Sequence, residues 1–248
     1  MEINGPGECL ELIRLHRSSL KRISQRNNKC ELTKESPVNR NIAMAFVLLL
    51  LMALLLTYAA AWFPVLPFDS KSYEELQEQA SPLFDGLMIG VSALGELAIA
   101  MTLTAIATLT FALRRQWLEA IFLLVTTSNV LLTFVLKEII HRTRPFPVAE
   151  NASGFLQSIN QYSYPSGHVL FFVVFFGFFT YLAWIHFTGR ARVIIIAICG
   201  MLIVLIGPSR IFLGEHWASD VLGSYIIGTI WLFVLILAYK WVIMHIDI

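Results

Sequence analysis

Charge is scarce in this chain. Asp, Glu, Lys and Arg make up 14% of the 248 residues and hydrophobic residues 57%, against about 25% and about 45–50% in soluble domains. That leaves too little polar surface to coat a soluble protein of this size. The composition therefore excludes an ordinary cytosolic domain and points to a polytopic membrane protein. Cysteine is also sparse: Cys9, Cys30 and Cys199 have neither the number nor the spacing for a disulfide framework or a metal site. No basic face interleaved with aromatics is present to carry nucleic acid, and the net charge of +1 carries no such message. The chain does not open with a brief basic start and a short apolar core, so no cleavable signal peptide is expected.

What the chain has instead is long apolar runs. Residues 1–40 form a polar tail with Arg14, Arg17, Lys21, Arg22, Arg26, Lys29, Lys34 and Arg40, read as loosely ordered and cytosolic. Its Leu10, Leu12, Ile13, Leu20 and Ile23 allow an alternative, an amphipathic helix on an anionic membrane surface. Residues 41–248 read as one membrane domain. A first span is expected over Ile42–Trp62, about the twenty residues that cross hydrocarbon. An acidic, Pro-containing segment follows, with Asp69, Glu74, Glu75 and Glu78.

Ser81–Leu113 is too long for one span and contains Glu96. Phe84, Leu87, Met88, Val91 and Leu94 recur at helical spacing, opposite Asp85 and Ser92, which predicts an interfacial helix ended by Gly95. The second span then runs over Leu97–Leu113, with Glu96 as a helix-start carboxylate at the membrane surface. The third is expected over Trp117–Leu136, with Glu119 solvated at its start and Lys137 at its end. The fourth covers His168–Phe187, and its run of Phe171, Phe172, Phe175, Phe176, Phe178 and Phe179 reads as lipid-facing and packing surface. The fifth covers Val193–Gly207 and the sixth Val221–Val242. The expected fold is an all-α, six-helix integral-membrane bundle with an interfacial helix between the first and second spans.

Six spans place the tail, the Arg114–Arg115 turn, the Arg190–Arg192 turn and Lys240 on one side, which the excess of basic residues marks as cytoplasmic. Both termini are then cytoplasmic. Lys137, Arg142, Arg144 and Arg210 break this rule on the opposite side, which suggests a purpose other than topology. The same arithmetic brings Lys137, the Ser166-Gly167-His168 start of the fourth span, Arg210, His216 and Asp220 to one outer face.

Their chemistry agrees. Lys137, Arg144 and Arg210 are three cations with no carboxylate cluster to balance them, and a dianionic phosphate would do so. Ser166 and Gly167 precede a helix start, where free N–H groups favour an anion, and Gly167 permits close backbone approach. If a helix begins near His216, Asp220 lies on the same face four residues on and can orient the imidazole as in a catalytic triad. His168 and His216 supply an acid and a nucleophile for phosphoryl transfer by positioning and electrostatics. With no metal-ligand spacing nearby, no metal and no cofactor are expected.

Lys137-Glu-Ile-Ile-His-Arg-Thr-Arg144-Pro145, Pro165-Ser166-Gly167-His168, and Ser209-Arg210 with His216 and Asp220 resemble the three-part signature of the type 2 phosphatidic acid phosphatase superfamily. The resemblance implies a phosphohistidine formed on His216 and oriented by Asp220. It makes His168 the group that protonates the leaving alkoxide and then activates water. It assigns Lys137, Arg144, Arg210, Ser166 and the Gly167 amide to the phosphate oxygens. Arg142 is outside the signature and reads as a solvated loop charge, with contact to a second phosphate or headgroup as the alternative. Soluble relatives of the superfamily are set aside by the six spans.

The branch implied is the bacterial membrane lipid phosphatases acting on phosphatidate, phosphatidylglycerophosphate or undecaprenyl diphosphate. On that likeness the chain is expected in the plasma membrane, among membrane lipids, with its site at the extracytoplasmic face. Two other readings remain open at this stage: a phosphatase for a small soluble ester, and a lipid-binding or transporting protein without turnover. Asn151-Ala152-Ser153 fits a glycosylation tripeptide, a pattern common by chance. Nothing in the sequence specifies an oligomeric state.

Overall fold

A computed structural model describes residues 37–145 and 161–245, with side chains from residue 40 onward. The amphipathic reading of the tail, Cys9, Cys30 and the Asn151 tripeptide lie outside them.

The helices are α1 (Pro37–Trp62), α2 (Pro67–Gln77), α3 (Pro82–Ala93), α4 (Leu97–Leu113), α5 (Trp117–Ile140), α6 (Gly167–His186), α7 (Gly189–Phe212) and α8 (Ala218–His245). Five of them, α1 from Arg40 together with α5, α6, α7 and α8, are each long and apolar enough to cross a membrane. α3 and α4 meet the same criterion only together, across a 63° bend, and make a sixth candidate span where the pair counts as one. The 17 residues of α4 rise only about 25 Å, short of the ~30 Å hydrocarbon layer. The expected all-α membrane bundle is therefore present, and so is the break at Gly95. Ser81 caps α3 by accepting from the Phe84 amide at 3.3 Å, and Glu96 occupies the position before α4.

Several local expectations need correction. The Phe run of α6 does not face lipid: Phe171, Phe172, Phe175, Phe176 and Phe178 are buried in the core. Hydropathy cannot separate the two settings, because lipid tails are as apolar as a protein interior. Here α6 is the central helix, packed on α5, α7 and α8, and a π-helical turn over Phe172–Phe176 crowds its rings together. Glu119 is not solvated. It is 1% exposed, accepts from the Tyr239 hydroxyl at 2.9 Å and lies 3.4 Å from His186 Nε2. Ser92 turns inward instead of lying on an outer polar face.

The spans also reach further than periodicity suggested. Lys137 lies inside the last turn of α5, and α7 continues through Pro208 to Phe212, so that Arg210 is helical. Pro208 has no N–H to give to the Val204 carbonyl. The Tyr225 hydroxyl of α8 serves the opened ladder: it donates to Ile203 O at 2.6 Å, accepts from Gly207 N at 3.1 Å and lies 3.3 Å from Val204 O. A helix that hydropathy ends at Gly207 thus carries on and delivers Arg210 to the end of the bundle.

Candidate active site

The polar end of the bundle is assembled from α5, α6, α7, α8 and the connections between them. Lys137, on the last turn of α5, is 1% exposed and donates from Nζ to Tyr162 O at 2.7 Å. The segment before α6 is tied down on both sides. Buried Tyr164 shares a 2.9 Å hydrogen bond with Thr57 of α1, and its phenol end lies against Gly223 of α8, where a Cβ would come within 2.5 Å of its hydroxyl. The Ser166 amide then donates to Ser224 Oγ at 2.7 Å. These contacts fix where α6 begins, and with it Ser166, Gly167 and His168. A Cβ on Gly167 would meet only Thr133, at an ordinary 3.4 Å.

His168 sits against the bend between α3 and α4. A Cβ on Gly95 would fall 2.3 Å from His168 Cδ2, so only glycine lets the ring lie there. Its Nε2 is 3.7 Å from Glu96 Oε1, and Glu96 is largely exposed. Arg210 is held from the other side of the same bend. It donates from Nη1 to Ser92 Oγ, and Ser209 Oγ donates to Met88 O at 2.6 Å. Two signature residues, Ser209 and Arg210, therefore join α7 to α3.

His216 is on the connection before α8, which starts two residues later than the near-His216 start expected. Its imidazole is 2% exposed, with Nδ1 3.8 Å from Asp220 Oδ2, too far for a hydrogen bond. Burial pushes the His216 imidazole well below its ordinary pKa. The positive charges of Arg144, Arg210 and Lys137 push it further in the same direction, as does His168.

Two charges in this region differ from expectation. The cations are not unbalanced: Glu215 pairs with Arg144 and, at 3.2 Å, with Arg210. Arg142 is not a solvated loop charge. It is 3% exposed, and its guanidinium is bonded to Asp220 and to Asp69 of α2. A charge buried this deeply survives only with such partners, and one of them, Asp69, comes from a helix that sequence distance hides. Glu215, Glu96, Ser92 and Asp69 are the members of this region that sequence reasoning left out. Glu215 carried a signal in its place beside His216, and Glu96 in interrupting the apolar run from Ser81 to Leu113.

Among the described residues no three His, Cys, Asp or Glu side chains form a metal-holding group. The groups that converge are chiefly donors. Ser166 Oγ, His168 Nε2, Arg210 Nε and His216 Nδ1 are buried without a hydrogen-bonding partner among the described residues. Hydroxyl, imidazole and guanidinium groups so placed suit an acceptor-rich anion.

Comparison with known proteins identifies the family. Residues 118–244 match the model of the PAP2 superfamily. Phosphatidylglycerophosphatase B of Bacillus subtilis (strain 168) is 31% identical over 157 residues, which cover 61% of this chain and 73% of that protein. The crystal structure of a transmembrane PAP2-type phosphatidylglycerolphosphate phosphatase from Bacillus subtilis superposes with a TM-score of 0.67 at 28% identity, covering 79% of this chain and 96% of the other. Aquifex aeolicus LpxE shares the fold, with a TM-score of 0.50 at 20% identity over 70% of this chain and 98% of the other. The signature from Lys137 to Asp220 falls wholly inside the matched stretch, and the chain belongs to the PAP2 superfamily.

Proposed function

We propose that this chain is an integral-membrane, metal-independent phosphatase. It removes phosphate from a lipid phosphomonoester or diphosphate of the phosphatidate, phosphatidylglycerophosphate or undecaprenyl diphosphate class. What supports this reading is that Ser166 Oγ, His168 Nε2 and Arg210 Nε are buried without a hydrogen-bonding partner among the described residues, and that Arg144, Arg210, Lys137 and His168 lie within electrostatic reach of His216. Both Bacillus subtilis matches carry the name of a phosphatidylglycerophosphate phosphatase, one member of this substrate class.

Each residue has a task in the reaction. Lys137, Arg144, Arg210, Ser166 and the Gly167 amide hold the non-bridging phosphate oxygens and spread the charge of the transition state. The phosphate takes over the contacts that Glu215 makes with Arg144 and Arg210. Asp220 faces Nδ1 of His216, which leaves Nε2 to attack phosphorus; closing 3.8 Å to hydrogen-bond length needs a shift of about 1 Å. As the Nε2–P bond forms, the P–O bond to the lipid breaks, and His168 gives its proton to the departing oxygen. His168 then takes a proton from water, whose oxygen attacks phosphorus. The N–P bond breaks, and inorganic phosphate leaves with His216 restored.

The lipid reaches the site from the side. His168, partly exposed, lies at the α3–α4 bend beside Glu96, and Leu87 of α3 and Leu97 of α4 are exposed. A chain held in the bilayer can slide its headgroup over that bend. The basic turns at Arg114–Arg115 and Arg190–Arg192, with Lys240, lie at the end remote from the site. They support cytoplasmic termini and a site on the extracytoplasmic face of the plasma membrane.

The test is phosphate release by the purified full chain in detergent. Phosphatidate, phosphatidylglycerophosphate, undecaprenyl diphosphate and glucose phosphate are to be compared side by side. Release from at least one lipid, far faster than from the sugar ester, is expected. Release from glucose phosphate alone, or none at all, contradicts the reading.

A further inference from the structure

Arg142 and Asp69 lie outside the residues that touch phosphate in the proposed reaction, yet both are buried beside its centre. Asp69 is 0% exposed and accepts four hydrogen bonds. Its Oδ1 takes the Ser219 amide at 2.8 Å, and its Oδ2 takes Ser219 Oγ, Leu66 N and Arg142 Nη2 at 2.9 Å each. Arg142 spends its donors on Asp69, on Ser219 Oγ at 2.7 Å, on Pro64 O at 3.2 Å and on Asp220 Oδ1. Asp220 Oδ2 accepts from the Trp217 amide at 2.9 Å and is the oxygen that faces His216. The order is Asp69, Arg142, Asp220, His216, each touching the next, drawn from α2, the α5–α6 connection, α8 and the α7–α8 connection.

We infer that Asp69 and Arg142 are positioning residues for the nucleophile, acting through Asp220. This rests on the phosphohistidine reading above. A carboxylate inside a membrane bundle is expensive to keep charged and free to rotate. Arg142 removes both difficulties: it supplies the opposite charge, and its bond to Oδ1 leaves Oδ2 turned to His216 Nδ1. Asp69 grips the other side of the same guanidinium through Nη2 and so holds Arg142 in the place from which it bonds Asp220. With all four of its bonds satisfied inside the protein, Asp69 has no capacity left for substrate. Neither residue is directed at the phosphate cradle of Lys137, Arg144 and Arg210. Asp69 also lies outside residues 118–244 matched to the family, so α2 is a part of this chain that completes the site from elsewhere.

A purely structural role and a positioning role differ in how their losses combine. Asp69→Asn and Arg142→Gln are to be made in the full chain, alone and together with Asp220→Asn, and assayed on phosphatidate with vanadate as inhibitor. If the two act through Asp220, each single variant loses roughly tenfold or more in kcat, the size of effect known for second-layer partners at metal sites. KM and the vanadate inhibition constant stay within about twofold, since the cradle is intact. In the Asp220→Asn background neither substitution should cost anything further, because the residues act as one unit. Full additivity in that background, or a rise in KM and in the vanadate constant matching the loss in kcat, overturns the inference. Asp69→Asn keeps shape and three of its four donors, so it decides the matter if Arg142→Gln does not fold. A wild-type chain that releases no phosphate from any lipid overturns the lipid-phosphatase reading instead, and this inference with it.

Discussion

At the scale of single residues the account turns on His216 and its counter-charges. A nucleophilic imidazole must be neutral. Burial and the cations around His216 hold its pKa well below the ordinary range, so it stays neutral as pH falls through about 6.5, where a free imidazole takes up a proton. Acidification over that range should therefore not slow phosphoryl-enzyme formation through loss of the neutral His216. Rapid-quench measurement between about pH 7 and about pH 5.5 is expected to show a rate that holds. A loss with its midpoint near 6.5 would mean that His216 titrates as though exposed.

Glu215 gives a second prediction at this scale. Its carboxylate pairs with both Arg144 and Arg210, so phosphate binds by displacing it. Glu215→Gln should tighten inhibition by vanadate and by inorganic phosphate, by about the tenfold that one charge contact of about 1.4 kcal/mol supplies. Weaker inhibition would show that Glu215 organises the two guanidinium groups and does not compete for them. The sequence announced Arg210 and Arg144 through their residue type and spacing. It gave little notice of Glu215 and none of Asp69, because pairing across α2, α7 and α8 is set by the fold and leaves no local pattern.

At the scale of elements the bend between α3 and α4 is the most informative feature. It was legible: a run too long for one span, a carboxylate inside it and a glycine before that carboxylate. What it is for was not legible, since the reason is the His168 ring lying against Gly95 and the Arg210 guanidinium against Ser92. Gly95→Ala places a methyl group 2.3 Å from His168 Cδ2 and must push the ring away. A loss of turnover of roughly a hundredfold, typical of a missing general acid, is expected with the thermal transition little changed. Near-normal activity in Gly95→Ala would mean that His168 does not need its present position. The Phe run of α6 shows the opposite limit. Its apolarity was plain, but its burial follows from α6 being the central helix, and a helix that is apolar all round fits a protein core and a lipid environment equally well.

At the scale of the whole molecule, one end of the bundle gathers donors and cations, and the remote end carries the basic turns. Catalysis on this plan relies on side-chain charge and two histidines, and no step draws on a metal ion. Activity in detergent should survive a strong chelator and be inhibited by vanadate, whose trigonal-bipyramidal form matches the transferring phosphoryl group. Loss in chelator that magnesium restores would require a different mechanism. Five candidate spans were legible from run lengths, and the bent α3–α4 pair from its excess length and Glu96. The depth at which Lys137 and Arg210 sit was not, since α5 and α7 run on past their apolar stretches.

The central claim is that His216 becomes phosphorylated while His168 serves the leaving oxygen. Rapid-quench trapping of the phosphoryl-enzyme, with phosphate-labelled phosphatidate on the wild type, His216→Ala and His168→Ala, tests it most directly. The account predicts a labelled wild type and no label on His216→Ala. His168→Ala should label slowly with phosphatidate but readily with a nitrophenyl phosphate, whose leaving group needs no proton. Label on His216→Ala together with none on His168→Ala from either substrate would contradict it.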